Sequence, residues 1–193
     1  MNLTKQYEHE LYSDDNQISV VEVGYGDDPS GEYVRESGDY MKVLEPPAVM
    51  LIVENEMNEI AFYKSFSLPT GINHASLPIT PMYREDFTPV QIAMELAYGG
   101  FGITLEEPTL LTMTPLHFSQ LSDEKFHVVY GRCSGYNKEE AGEELFWIHE
   151  PNVMVRIEHQ LTKGTPFALE REGATLNDLS ITAMLIKKML YKL

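Results

Sequence analysis

The chain has few basic residues, a single cysteine and no long apolar run. Its 14 lysine and arginine residues stand against 30 aspartate and glutamate residues, which gives a formal net charge of -16. Binding to a nucleic-acid backbone needs clustered Lys and Arg, so we expect none here. The simplest interpretation of the acidity is solubility. An anionic ligand would need local Arg or Lys, or a metal ion, to reverse the long-range repulsion.

The single cysteine, Cys133, excludes an internal disulfide. It follows an apolar run, which favours a half-buried structural thiol over a reactive nucleophile. No apolar run reaches the roughly 18 residues that a membrane-spanning helix needs, and the N-terminal residues lack the apolar core of a signal peptide. We therefore expect a cytoplasmic protein with no membrane association.

What the sequence does contain is typical of a globular α/β protein. Its 193 residues, of which 43% are hydrophobic, suit one domain with a small extension. Residues 1–16 are polar and predicted to be loosely held, and residues 68–83, rich in Pro and Gly, are predicted to form a binding loop. Apolar patterns predict strands at 17–24, 40–44, 48–53, 59–66, 104–114, 125–132 and 145–148, and helices at 89–98, 150–161 and 175–191.

The best-defined element is a short helix in the middle of the chain. Thr88 is a good N-cap, with Pro89 at the first helical position and Gln91 placed for a capping box. Gly99 and Gly100 are predicted to end the helix in the left-handed conformation. Glu95 is expected to point away from the core, which the helical spacing assigns to Val90, Ala93, Met94 and Ala97.

The stretch from Thr80 to Ile103 resembles the signature box of the Nudix hydrolases. In that box an early Glu is followed by Arg-Glu, an aliphatic residue, a Glu-Glu pair, and finally a glycine and an aliphatic residue. Glu95 and Leu96 match the box, and Asp86 takes the early Glu position. Met94 stands where arginine is expected, and 98–99, a Tyr-Gly pair, stands where the metal-binding glutamates are expected.

A one-residue insertion would bring Gly102 and Ile103 into the closing glycine and aliphatic positions. It would not restore the missing acids, because no carboxylate lies between Glu95 and Glu106. The box is therefore degenerate, with one of its central acids retained.

Segments on both sides of the box extend the resemblance over roughly residues 18–190, to the ADP-ribose pyrophosphatase-like branch of the superfamily. The matching segments are 48–53, 59–63, the Leu-Pro-x-Gly-like run 67–71, and 122–130, 143–148 and 176–183. The resemblance implies an α/β fold, a Nudix-like α/β/α sandwich with a mixed sheet plus a small N-terminal β-sheet. It implies strands for possible dimerisation in 1–45, a Nudix-like domain in 46–193, and a homodimer.

The resemblance also implies site residues and a cofactor. If the protein is active, Mg²⁺ or Mn²⁺ would be held by oxygen ligands, with Glu95 and Asp86 as the candidates. Later-loop acids would serve as a general base. Arg84 is the candidate to replace the arginine that orients the acids. The implied catalytic residues are Glu95, Glu143 and Glu144, and the implied ligand-binding residues are Arg84, Gly71, His74 and Glu124. The alternative for each acid, and for His74, is an ordinary solvated surface residue.

Three hypotheses about function remain open. The chain binds a nucleotide-sugar-like or ADP-ribose-like ligand with weak or no hydrolysis, which the missing acid pair favours. Alternatively, it is an active pyrophosphohydrolase, converting ADP-ribose to AMP and ribose 5-phosphate, with a metal site rebuilt from Glu95 and later acids. Thirdly, it is a scaffold that binds another protein. Aromatic residues near the box leave room for a stacked base, although core packing is the commoner role: Tyr83, Phe87, Tyr98 and Phe101.

Overall fold

The computed structural model describes residues 4–13, 18–26, 36–43, 46–67, 72–119, 122–137, 139, 145–163 and 175–191. The chain forms two compact units. The first contains Met1–Pro47 and Pro115–Phe126, and the second contains Ala48–Thr114 and His127–Leu193. None of the helices in the described ranges is long and apolar enough to cross a membrane.

The first unit is built from strands. β1 (Thr4–Ser13), β2 (Ile18–Gly26) and β3 (Glu36–Val43) form an antiparallel meander, and β9 (Leu116–Ser119) pairs with the first residues of β10 (Ser122–Tyr136). The prediction that residues 1–16 are loosely held was wrong for Thr4–Ser13. The residues of β1 are mostly polar and do not alternate with apolar ones, so their pattern does not predict a strand. Backbone hydrogen bonds to β2 hold β1 in place.

The second unit contains a mixed sheet. β4 (Ala48–Glu54) pairs with β5 (Glu59–Ser67) and with β7 (Ile79–Pro81). β5 also pairs with β6 (Ile72–Ser76) and with β11 (Leu145–His149). β8 (Ile103–Leu110) is antiparallel to the second half of β10, whereas the short β12 (Thr175–Leu176) is parallel to β6.

The prediction of an irregular loop over residues 68–83 was wrong for 72–76 and 79–81, which form β6 and β7. Residues 68–71 lie outside the described residues. Pro78 falls between the two strands, and Pro81 ends β7 at its last residue, so neither proline interrupts a ladder. β9 likewise lies in a stretch where no strand was predicted, between those predicted at 104–114 and 125–132.

Helices cover both faces of this sheet. α1 (Pro89–Glu95) packs on the face formed by Val49, Leu51 and Val53, which are fully buried. Successive residues of a strand point to opposite faces, so Glu54 lies on the other face, where it contacts α3 (Asp178–Leu190). This arrangement matches the mixed sheet between helices that the sequence predicts.

The two later helices follow their predicted positions closely. α2 (Glu150–Lys163) buries Val153 and Ile157, whereas Leu161, one turn further along, is 62% exposed. α3 is capped at its N-terminus by Asn177, whose side chain accepts a hydrogen bond from the Ser180 backbone N–H at 2.7 Å. An Asn in this position satisfies one of the free N–H groups of the first turn.

Candidate functional site

The short helix in the middle of the chain, α1, begins as predicted. The Thr88 hydroxyl accepts from the Gln91 backbone N–H at 3.3 Å, and the Gln91 side chain accepts from the Thr88 backbone N–H at 2.9 Å. Pro89 occupies the first helical position, where its missing N–H costs nothing. This reciprocal capping box fixes where α1 starts, and therefore where Glu95 lies along it.

The end of the helix differs from the prediction. α1 passes into a single π-helical turn at 96–100, so Gly99 and Gly100 continue the helix instead of ending it. The left-handed conformation falls on Gly102, with φ of 63°. A π-helical turn contains one more residue than an α-helical turn. The chain therefore enters β8 one residue later than a continuous α-helix would allow.

The helix presents one apolar and one polar face, with one exception to the predicted pattern. Ala93 and Ala97 are fully buried, and Val90 packs against the same cluster. Met94, predicted to face the core, is 46% exposed, and Ile92 takes a buried position instead. Met94 precedes Glu95 on the exposed side of the helix.

Glu95 is held by an arginine from the turn that precedes the helix. Arg84 Nη1 lies 3.1 Å from Glu95 Oε1, and both side chains are about half exposed. The Arg84 guanidinium also stacks over the Phe87 ring at 3.6 Å, and Phe87 packs against the core. The packed ring therefore orients the guanidinium, which then orients the carboxylate.

The other predicted site residues do not join this pair in the described structure. Asp86 is exposed in the turn before α1. His74 lies in β6, paired with Ser65 and Thr175, and is partly buried. Glu124 belongs to β10, with its side chain outside the described residues. The remaining predicted positions also lie outside the described residues: Gly71, Glu143 and Glu144.

The described residues do not fit the divalent metal that the Nudix resemblance implies. No group of three or more His, Cys, Asp or Glu side chains in the described ranges could hold a metal ion. The Glu95 carboxylate already has a guanidinium at 3.1 Å, and this positive charge opposes a cation on the same oxygen. A Mg²⁺ ion needs several oxygen ligands in near-octahedral geometry, which one engaged carboxylate cannot provide.

A second charged group lies on the opposite face of the sheet and is buried. Lys187 of α3 places its Nζ 2.8 Å from Glu54 Oε2 and 2.7 Å from Glu150 Oε1. The Tyr130 hydroxyl donates to the same Glu54 oxygen at 2.8 Å. Burial opposes the charge on Lys187, but the two carboxylates outweigh it and raise its pKa. The pKa of Tyr130 is also raised, in its case chiefly by burial of the hydroxyl group.

The sequence patterns did not predict this group, although one signal for it exists. Lys187 stands with Lys188 in the last turn of α3, where cations suit the helix dipole. However, Lys187 follows Ser180 and Met184 at helical spacing, and these positions are buried. A charged residue on an apolar face indicates a buried partner. The partners themselves lie 133 and 37 positions away in the chain, and no spacing rule could have identified them.

Cys133 has the half-buried structural environment that the sequence favours. Its thiol donates to the Gly135 carbonyl at 3.3 Å, and it packs against the core cluster. Burial raises the pKa of the thiol, which lowers its thiolate fraction and its reactivity.

Comparison with known proteins identifies the fold but no family. No protein-family model matches the chain, and no curated protein matches it. Among solved structures, 280 chains match, and a shared fold by itself names no activity. One, described as an ADP compounds hydrolase, has a TM-score of 0.64 and 10% sequence identity, covering 100% of this chain and 95% of that chain. This likeness confirms the predicted fold class, a Nudix-like α/β/α sandwich with a small antiparallel sheet.

Proposed function

We propose that this chain binds a nucleoside-diphosphate-type ligand, such as ADP-ribose, and hydrolyses it weakly or not at all. The observation that carries the proposal is the Arg84–Glu95 pair, in which the one acid retained from the box is engaged by a guanidinium. The solved structure described as an ADP compounds hydrolase, which has the same fold, supports a nucleotide derivative as the ligand class.

Arg84 gives the acidic chain a local cation for a phosphate group. Its side chain is 53% exposed, and its guanidinium is fixed over the Phe87 ring, so little freedom would be lost on binding. A diphosphate would compete with Glu95 for this guanidinium and form a bidentate contact. Exposed aromatic rings lie close in the chain, at Tyr83 and Tyr98, and either offers a face for a base.

The π-helical turn supports a specific alignment with the Nudix box. It contributes one extra residue between Glu95 and β8. With that residue counted as an insertion, Gly102 takes the closing glycine position, where a left-handed φ favours glycine, and Ile103 takes the aliphatic position. We propose that this turn, which holds the Tyr-Gly pair in place of the two glutamates, is one of the sites at which the sequence departs from the active pattern.

Two measurements on the full chain test the proposal. Thermal shift with ADP-ribose should raise the melting temperature in proportion to occupancy. Arg84→Met should abolish the shift, whereas Glu85→Gln, a matched change in a neighbouring exposed residue, should leave it intact. Chromatography after incubation with ADP-ribose and Mg²⁺ or Mn²⁺ should show little or no AMP.

AMP formation that disappears both with EDTA and in Glu95→Gln would overturn the proposal. It would establish an active pyrophosphohydrolase whose metal site uses acids beyond the described residues. The absence of any thermal shift across a panel of nucleotide sugars would also reject it.

The scaffold alternative has one observation in its favour. Met94 and Tyr98 are 46% and 63% exposed and lie four residues apart on the same segment, so together they offer an apolar contact surface. A homodimer through residues 1–45 remains a prediction from the resemblance. Sedimentation at several protein concentrations would test it, and a partner of different sequence bound through Met94 would favour the scaffold.

A further inference from the structure

Two large side chains with apolar surface lie next to each other on the solvent-facing side of α1 and its π-helical turn. Met94 is 46% exposed and Tyr98 is 63% exposed. They are four residues apart, and side chains at this spacing are neighbours on the surface of a helix. The residues directly before them, Ala93 and Ala97, are fully buried in the core. The exposed pair therefore forms a small surface that faces away from the core, the Met94–Tyr98 platform.

This platform adjoins the Arg84–Glu95 pair. Glu95 follows Met94 directly and precedes Tyr98 by three residues, a spacing at which helical side chains are also neighbours. The same Glu95 carboxylate lies 3.1 Å from Arg84 Nη1. Three residues correspond to about 4.5 Å along a helix axis. A single ribose can therefore bridge a phosphate at Arg84 and a base at Tyr98.

Gly99 leaves open space beside the Tyr98 ring. It lies inside the π-helical turn, its φ is outside the left-handed region, and an added Cβ atom would meet nothing within 4 Å. Neither the backbone conformation nor crowding by the protein therefore requires glycine at this position. Glycine weakens a helix relative to alanine, and one use that offsets this cost is the close approach of a ligand to the backbone.

The platform also replaces charged residues of the Nudix box. Met94 stands where the box has arginine, and 98–99, the Tyr-Gly pair, stands where it has the two glutamates. A thioether, a phenol ring and an open position thus surround the one acid that is retained, Glu95. The exposed side of this helix is suited to contact with a flat, largely apolar group.

The size of the platform favours one planar ring over a protein partner. Two side chains offer much less than the roughly 800 Å² per partner that a stable protein interface buries. A single base, in contrast, stacks on one tyrosine ring in an offset or tilted arrangement. The Met94 thioether adds a polarizable contact at the edge of that base.

We propose that the Met94–Tyr98 platform binds the nucleobase of the ligand, and that Tyr98 is the residue that makes the site prefer a nucleotide to a diphosphate alone. The base stacks on the Tyr98 ring over the space that Gly99 leaves, while Met94 contacts its edge. This inference rests on the proposed function, because it takes the diphosphate to lie at Arg84.

Titration calorimetry of the full chain with two probes tests the inference. ADP-ribose carries a base, whereas inorganic pyrophosphate carries only the charged group. Tyr98→Leu removes the stacking face and should weaken ADP-ribose binding about tenfold. It should leave pyrophosphate binding unchanged, and Tyr98→Phe should restore most of the affinity for ADP-ribose. Arg84→Met should weaken both probes.

A second variant tests the open space without touching the ring. Gly99→Gln places a good helix-forming residue over that space, so the melting temperature of the free protein should not fall. ADP-ribose binding should nevertheless weaken, whereas pyrophosphate binding should not. A purely structural role of Gly99 would give no such difference between the probes. As a matched control, Tyr191→Leu removes an exposed tyrosine from the end of α3 and should change neither affinity.

The remaining outcomes separate this inference from the proposed function. Unchanged ADP-ribose binding in Tyr98→Leu, together with its loss in Arg84→Met, would reject the platform and keep the proposed function. A larger loss in Tyr83→Leu than in Tyr98→Leu would place the base at Tyr83 and likewise overturn the inference. Loss of both probes in Tyr98→Leu would reject a separate base site. If the unmodified chain binds neither probe, both proposals fail together.

Discussion

An ion pair and a three-residue charged group, both among the described residues of the second unit, have similar distances in opposite surroundings. In the Arg84–Glu95 pair the atoms are 3.1 Å apart, and the side chains are 53% and 51% exposed. Lys187 lies 2.8 Å from Glu54 and 2.7 Å from Glu150, with its own side chain 4% exposed. The distances alone would suggest that the two interactions are equivalent.

Burial makes their roles different. Water and salt screen an exposed pair, so its net contribution to stability is about 0–1 kcal/mol. A buried group, once formed, is costly to break because the remaining charge has no partner. The exposed pair can therefore exchange its partner for a ligand, whereas the buried group ties α3 and the start of α2 to β4. We therefore expect the exposed pair to have a functional role and the buried group to stabilise the fold.

The largest predicted effect comes from removing the buried cation. Lys187→Met leaves Glu54 and Glu150 close together without a positive charge, and should lower the free energy of unfolding by about 3–5 kcal/mol. Urea denaturation measures this difference. Lys188→Met changes the exposed neighbour on the same helix and should alter stability by less than about 0.5 kcal/mol. Equal effects of the two variants would show that burial does not distinguish these lysines.

A smaller effect of the same group should appear at alkaline pH. The pKa of Tyr130 is raised from 10.0 and that of Lys187 from 10.5, so both groups hold their protons more tightly when folded. Their contribution is complete below the unfolded values and is lost as pH rises through the folded ones. The free energy of unfolding should therefore fall as pH rises above 10.0. Tyr130→Phe should show a shallower fall, and an unchanged slope would contradict the prediction.

The sequence predicted the parts of this molecule that depend on neighbouring residues. The capping box of Thr88 and Gln91 involves positions three apart, and it was correct in each hydrogen bond. The buried strand at 48–53 was visible as a continuous apolar run, and it forms most of β4. The types and spacing of neighbouring residues were sufficient to predict both features.

The sequence could not predict the features that depend on distant parts of the chain. The ion pair between Lys187 and Glu54 joins residues 133 positions apart, and it forms only because α3 packs over β4. A pocket lined by Glu107 and Tyr191 likewise requires β8 and α3 to meet. Gly99 and Gly100 looked like a helix end, because residue type alone cannot show that the turn widens and continues to Gly102.

This last difference gives a matched pair of glycine variants beside the exposed ion pair. Gly102 has φ of 63°, so Gly102→Ala should destabilise the protein by about 1–2 kcal/mol. Gly99 is inside the helix, with open space around an added methyl group, so Gly99→Ala should stabilise it by up to about 1 kcal/mol. Thermal unfolding of both variants shows whether each substitution raises or lowers the melting temperature. A destabilising Gly99→Ala would restore the original prediction that Gly99 ends the helix in the left-handed conformation.

The smallest predicted effect on stability belongs to Glu95→Gln, and it separates the functional hypotheses most sharply. Because the pair is half exposed, the free energy of unfolding should change by less than about 0.5 kcal/mol. Ligand affinity should change in a direction that depends on function. If Arg84 binds a diphosphate, removing its competing carboxylate frees the guanidinium, and ADP-ribose should bind more tightly. If Glu95 holds a metal ion, the same substitution removes a ligand, and metal-dependent binding and turnover should be lost. Titration with ADP-ribose, with Mg²⁺ and with EDTA, distinguishes the two outcomes in a single folded variant.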